Sequence, residues 1–194
     1  MIFGFSLTRE LRFLATGLVL ALFPIPAGAQ ISIVQTTNYY TVTGANFREI
    51  RQSISAARPW KDGFDGDTRW NVEWKFTFAD TAAACSCSSF STTTRIATTL
   101  PRWTPPADVA PESKNYWTNY FVALAQHEAG HARIGIAAAN EIHKTIGTIS
   151  AQPDCERLKK FINERAEHLV EEYRGREREY DRRTEHGTRP PEAR

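Results

Sequence analysis

The chain has 194 residues, 41% of them hydrophobic, and a formal net charge of +2. That is enough apolar material for one domain, two at most, and the charge is too balanced to point to nucleic acid. Arginines gather late, at Arg174, Arg176, Arg178, Arg182, Arg183, Arg189 and Arg194, but Glu177, Glu179, Asp181 and Glu185 are interleaved with them, which reads as a solvated helix face and tail rather than a polyanion site.

The first residues have the layout of an export leader. Arg9 and Arg12 form a positive segment, and Phe13 to Phe23 is an apolar run. That run is well short of the roughly 20 residues a membrane-spanning helix needs. Pro24 and Pro26 interrupt it, and Ala27-Gly28-Ala29 has the A-x-A form of a cleavage site. Residues 1–29 are therefore expected to be a signal peptide, with Gln30 opening a mature protein that is secreted or periplasmic and not held in the membrane. A retained anchor is the alternative. An oxidising compartment permits a disulfide among Cys85, Cys87 and Cys155. Cys85 and Cys87 are too close for an easy pair, so one of them is expected to bridge to Cys155.

Tyr39 to Thr43 reads as a short strand. Asn46 to Ala57 places Phe47, Ile50, Ile54 and Ala57 at helical spacing and stops before Pro59. A Gly/Asp loop, Lys61 to Asp67, follows. Thr68 to Phe78 alternates strictly, with Trp70, Val72, Trp74, Phe76 and Phe78 on one face and Arg69, Asn71, Glu73, Lys75 and Thr77 on the other. Period two over this length is a half-buried strand. The Thr-rich segment Phe90 to Leu100 is a third strand, expected to end at Pro101 and to pair antiparallel with the previous strand across the short connection. Pro105 and Pro106 then mark the change to helices. Ser113 to Ile146 reads as one helix, Gly147 to Pro153 as a turn, and Asp154 as the N-cap of a second long helix. That helix carries Leu158, Ile162, Ala166, Leu169, Tyr173 and Tyr180 along one stripe and is expected to end near Gly187. Residues 188–194 form a loose tail.

The first long helix contains His127-Glu128-Ala129-Gly130-His131, two of the chain's five histidines. Four residues apart, they share a helical face about 6 Å apart. Two imidazoles so placed reach one zinc ion at roughly 2.0–2.1 Å each. Glu128 then falls beside a water held at the metal and can act as general base in peptide hydrolysis. The structural alternative is two histidines on a half-buried face. Against it stand the apolar approach through Trp117, Phe121 and Leu124 and the small residues Ala129, Gly130 and Ala132. Glycine within a helix costs about 1 kcal/mol against alanine, so Gly130 and Gly135 need packing reasons.

A catalytic zinc ordinarily takes three protein ligands. Ala137 stands where a third histidine of an extended motif would be, and Glu141 and His143 lie on the order of 15 Å or more up the helix. If the two long helices form a straight antiparallel pair, residues 168–176 lie level with the motif, which offers His168, Glu171 or Glu172. His186 reaches the metal only if the helix bends or the chain turns back.

Six segments carry a resemblance: Tyr40-Thr41-Val42-Thr43-Gly44, Thr68-Arg69-Trp70, Trp74-Lys75-Phe76, Leu100-Pro101-Arg102-Trp103, the H-E-x-x-H run, and Tyr180-Asp181-x-x-Thr184-x-His186-Gly187. Together they resemble a bacterial family of unknown function regarded as secreted zinc-dependent proteases. The resemblance implies a zincin-like peptidase. The last motif contains a histidine, so it favours His186 as third ligand, with Glu171 or Glu172 behind it. Asp181 would then orient a ligand histidine through its second nitrogen. Tyr180 is the nearest candidate to stabilise an oxyanion, its alternative, like that of Thr184, being packing and capping.

The expectation is an α+β domain over residues 30–187, a small antiparallel sheet with one helix followed by two long helices carrying a zincin-like site. Zn2+ is held by His127, His131 and His186, with Glu128 and Tyr180 catalytic and a peptide or protein as substrate. The alternative is an inactive scaffold that binds a cell-envelope or protein partner, its zinc structural.

Overall fold

The computed structural model describes residues 28–61 and 63–187. The expected tail, 188–194, and all but the last two residues of the expected leader lie outside these. The elements run β1 (Ala29–Val42), α1 (Phe47–Ala57), β2 (Asp67–Asp80), β3 (Cys85–Trp103), α2 (Pro111–Gly147) and α3 (Cys155–Thr184). Among the described residues the fold is α+β, one three-stranded sheet with three helices, two of them long.

The sheet is mixed rather than purely antiparallel. Its order is β1-β3-β2, with β2 antiparallel and β1 parallel to β3. Chain connection explains the difference. A tight turn closed by the Thr81 amide and the Ala84 carbonyl (3.1 Å) joins β2 to β3, whereas α1 and β2 intervene between β1 and β3, which is the longer path a parallel pair needs. β1 also begins well before Tyr39. Gln30 to Tyr39 are exposed on both faces, so no inside–outside alternation marks them, and only Tyr40 and Val42 are buried. β3 runs through Pro101, which pairs with Tyr40 of β1. The last β2 pair is Asp67 with Thr99. Beyond it β3 has a neighbour on one side only, where a proline need cost no ladder bond.

Two apolar clusters hold the elements together. In the larger, Trp70 and Val72 of β2 and Phe90 and Ile96 of β3 pack on Ala138, Ala139, Ile142 and Ile146 of α2 and on Leu158, Ile162, Ala166 and Tyr173 of α3. The smaller joins Tyr40 and Val42 to Ile50 and Ile54, flanked by Trp60, Trp103, Tyr116, Trp117 and Tyr120. Each isoleucine fully buried in these clusters contributes about 1.5–3 kcal/mol. Gly135 has the packing reason its position requires, since a Cβ there would lie 2.6 Å from Cγ of Trp70. The helix caps are local. Asn46 accepts from the Glu49 amide (3.1 Å) while Glu49 reaches back to the Ala45 amide (2.8 Å), and Asp154 accepts from the Arg157 amide (2.8 Å).

The connection between α2 and α3 governs which residues face one another. Gln152 exchanges two main-chain hydrogen bonds with Cys85, at 2.8 and 2.9 Å, and the next residues carry the disulfide Cys85–Cys155. Of the two pairings open to Cys155, this one forms, and Cys87 is a free thiol. Tied to the start of β3, α3 begins beyond the end of α2 instead of level with it. The residues of α3 that face the motif are Glu177 to Thr184 rather than 168–176, and Gly130 faces Tyr180.

Candidate metal centre

α2 brings the two motif histidines onto one face with their Nε2 atoms 3.2 Å apart. α3 supplies a third donor. Oδ1 of Asp181 lies 3.3 Å from Nε2 of His127 and 3.0 Å from Nε2 of His131. Four donors around a zinc at roughly 2.0–2.1 Å stand about 3.3 Å from one another in a tetrahedron. The three atoms thus have the edge lengths of one face of such a site, and two imidazole nitrogens with a carboxylate oxygen are a donor set that suits a divalent transition metal. His127, Glu128 and His131 are 4%, 4% and 8% exposed, so the group is buried. The His131 imidazole and the Asp181 carboxylate hold one another by charge. Burial alone would lower the His131 imidazole, but hydrogen bonding and attraction to Asp181 and Glu177 outweigh it and raise it to about 9. Burial would raise the Asp181 carboxyl, yet the two imidazoles hold it well below the usual carboxylate range.

The remaining ring nitrogens are placed by α3. The Thr184 hydroxyl donates to the Tyr180 carbonyl at 2.8 Å, so toward Nδ1 of His127, 3.2 Å away, it offers a lone pair. That favours the tautomer with a proton on Nδ1 and a free Nε2. The Tyr180 ring stacks on His127 at 5.1 Å and meets His131 edge-on at 5.1 Å, and its hydroxyl donates to the His127 carbonyl at 3.2 Å. Gly130 is required for this contact, because a Cβ would overlap the Tyr180 ring. α3 then ends in three left-handed residues, Glu185 (φ 48), His186 (φ 53) and Gly187 (φ 83). They turn the chain back so that Gly187 rests against the His127 ring, where a Cβ would sit 3.0 Å from Cγ.

Glu128 points toward the connection between α1 and β2. A Cβ on Gly66 would come 2.5 Å from its Oε1, and its Oε2 is buried without a hydrogen-bond partner. Burial raises this carboxyl, Asp67 adds to the effect, and the Thr68 hydroxyl and both imidazoles oppose it. Asp65 pins the connection. Its carboxylate pairs with Arg51, takes the Tyr120 hydroxyl at 2.9 Å and lies 3.5 Å from Arg58, while its carbonyl takes the Tyr40 hydroxyl at 2.6 Å.

The sequence-based candidates are therefore divided. His127, Glu128, His131 and Tyr180 come together. His186 lies just outside the donor triangle, its side chain half exposed, its Nδ1 3.8 Å from Oδ1 of Asp181 and its ring against Phe64. Asp181, read from sequence as an orienting group, occupies the third corner. His168, Glu171 and Glu172 are exposed on α3, off the face that buries Ala166, Tyr173 and Tyr180. His143 packs on Phe90, away from the motif. Thr184 and Glu177 were not singled out as partners of the ligand rings. The signal for them was the i, i+3, i+4, i+7 spacing of Glu177, Tyr180, Asp181 and Thr184 on one helical face.

Among the described residues no helix is long and apolar enough to cross a membrane. Comparison with curated proteins and with solved structures returns no match. A family model described as "Bacterial protein of unknown function (DUF922)" matches residues 37–187. That span holds β2, β3, all three helices and the His127/His131/Asp181 group, and the chain belongs to this family.

Proposed function

We propose that the protein is an exported zinc-dependent peptidase, with His127, His131 and Asp181 as the metal-holding set and Glu128 as the base. The observation that carries the reading is the spacing of two Nε2 atoms and one Oδ1 at 3.0–3.3 Å beside a buried carboxylate with an unpartnered oxygen. A structural site has no use for a base in that position. When bound, zinc supplies Lewis-acid chemistry, polarising a carbonyl and making water more acidic. Glu128 takes the proton of the attacking water at Oε2 and passes it to the departing amine, for which a carboxyl raised by burial is suited. Tyr180 holds His127 through its carbonyl and by stacking, and the Asp65-pinned connection sets Gly66 behind Glu128. The disulfide supports an extracytoplasmic location, and the substrate class is peptide or protein.

The test is hydrolysis of a broad peptide library by zinc-loaded protein. Glu128→Gln should keep its zinc and lose activity by roughly 10²–10⁴-fold. Activity equal to that of an active parent in Glu128→Gln overturns Glu128 as the base, and a zinc-loaded parent with no activity sinks the peptidase reading in favour of an inactive scaffold that binds a cell-envelope or protein partner.

A further inference from the structure

We infer that Glu177 is a positioning residue that fixes the ring of His131 through its second nitrogen, and that it is itself fixed from the sheet by Trp70 and Arg174. The inference rests on the metal-centre reading above. With Nε2 of His131 turned toward Asp181 and His127, a metal bound at Nε2 would leave the ring's one proton on Nδ1, and Nδ1 is buried with no hydrogen-bond partner. The acceptor within reach is Oε1 of Glu177, 3.5 Å away. That separation is a few tenths of an ångström beyond a hydrogen bond. A small rotation of the imidazole, as its Nε2 settles on a metal, closes it.

Glu177 is immobilised to a degree a surface carboxylate is not. The Trp70 indole N–H donates to Oε1 at 2.9 Å, and Nη1 of Arg174 donates to Oε2 at 2.9 Å. Arg174 is in turn clamped to the strand. Its Nη2 donates to the Trp70 carbonyl at 2.7 Å, and its guanidinium stands 3.7 Å from the centre of the Trp70 ring. Trp70 can occupy this position only because Gly135 leaves α2 bare beneath it. Four side chains from β2, α2 and α3 thus form one line, Arg174–Trp70–Glu177–His131, that ties the twist of the strand to the orientation of a ligand. Thr184 plays the matching part for His127 with a neutral hydroxyl. The two ligand rings therefore differ in their partners, one neutral and one anionic, and the anionic partner makes His131 the more basic ligand.

Zinc affinity measured by chelator competition on purified protein separates the possibilities. Glu177→Ala should weaken zinc binding roughly ten- to a hundredfold. Glu177→Gln keeps an acceptor for the Trp70 N–H and for Nδ1 but removes the charge, and should lose less. Trp70→Phe deletes the donor that holds Oε1 and should shift affinity in the same direction. Nitrogen-15 NMR of the zinc-loaded parent should show the His131 proton on Nδ1, a signature that a merely structural Glu177 would not affect; in Glu177→Gln that proton should exchange with solvent faster. If Glu177→Ala misfolds, Glu177→Gln decides. Parental affinity and parental Nδ1–H exchange in Glu177→Gln overturn the inference while leaving the metal centre standing. A parent that takes up no zinc overturns the metal reading and the inference with it.

Discussion

Replacing Gly130 by alanine sets two effects against each other. Alanine is the better helix former by about 1 kcal/mol, but the new methyl group enters the ring of Tyr180, and overpacking of a tight contact typically costs about 1–3 kcal/mol. Because α2 and α3 meet there through backbone and an aromatic ring, neither can yield cheaply. Gly130→Ala is expected to be less stable than the parent in urea unfolding, and a stabilised variant would contradict the Tyr180 packing. Proton linkage offers a second check at this scale. His131 in the metal-free fold is raised from 6.5 to about 9. The stability its pairing with Asp181 and Glu177 contributes is therefore whole below pH 6.5 and is lost as pH climbs through about 9. Asp181→Asn should flatten that part of the pH–stability curve of the metal-free protein. A metal must also expel the proton, so zinc affinity should rise with pH up to about 9. Of the site itself, the H-E-x-x-H residues were legible because their geometry lies within a single helix. The place of Asp181 beside the two Nε2 atoms was not legible, since it depends on the pairing of two helices.

At the scale of elements, the disulfide is expected to help set this pairing. Cys85–Cys155 closes a separation of 70 residues and joins the start of β3 to the first turn of α3. In the chain-entropy account such a loop contributes about 4 kcal/mol. Cys155→Ser should lose roughly that much in denaturant unfolding, and it should weaken zinc binding as well because α3 is free to slide against α2. Loss of stability with unchanged zinc affinity would show that the disulfide does not hold the register of the two helices. The strict alternation of Trp70, Val72, Trp74, Phe76 and Phe78 made β2 plain in the sequence. Most of β1 was hidden because Gln30 to Tyr39 bury neither face. Pro101 suggested a strand end where β3 merely loses one neighbour. Asp65 was read only as part of a loop, since its partners Arg51, Arg58 and Tyr120 are dispersed along the sequence.

In the whole molecule the two apolar clusters lie to either side of the buried His/Asp group. The larger fixes α2 and α3 on the sheet, and the smaller fixes α1 and, through Asp65, the connection that abuts Glu128. Candidate metal donors from two helices, Glu128 against a connection and Glu177 held from a strand make the site a product of several elements at once. The most direct test is the zinc content of purified protein, with variants that separate the corners of the donor set. The parent should hold stoichiometric zinc. His127→Ala, His131→Ala and Asp181→Ala should each lose it, whereas His186→Ala, which removes a half-exposed ring outside the triangle, should keep it. A zinc-free parent, or zinc retained by Asp181→Ala and lost by His186→Ala, would contradict the assignment.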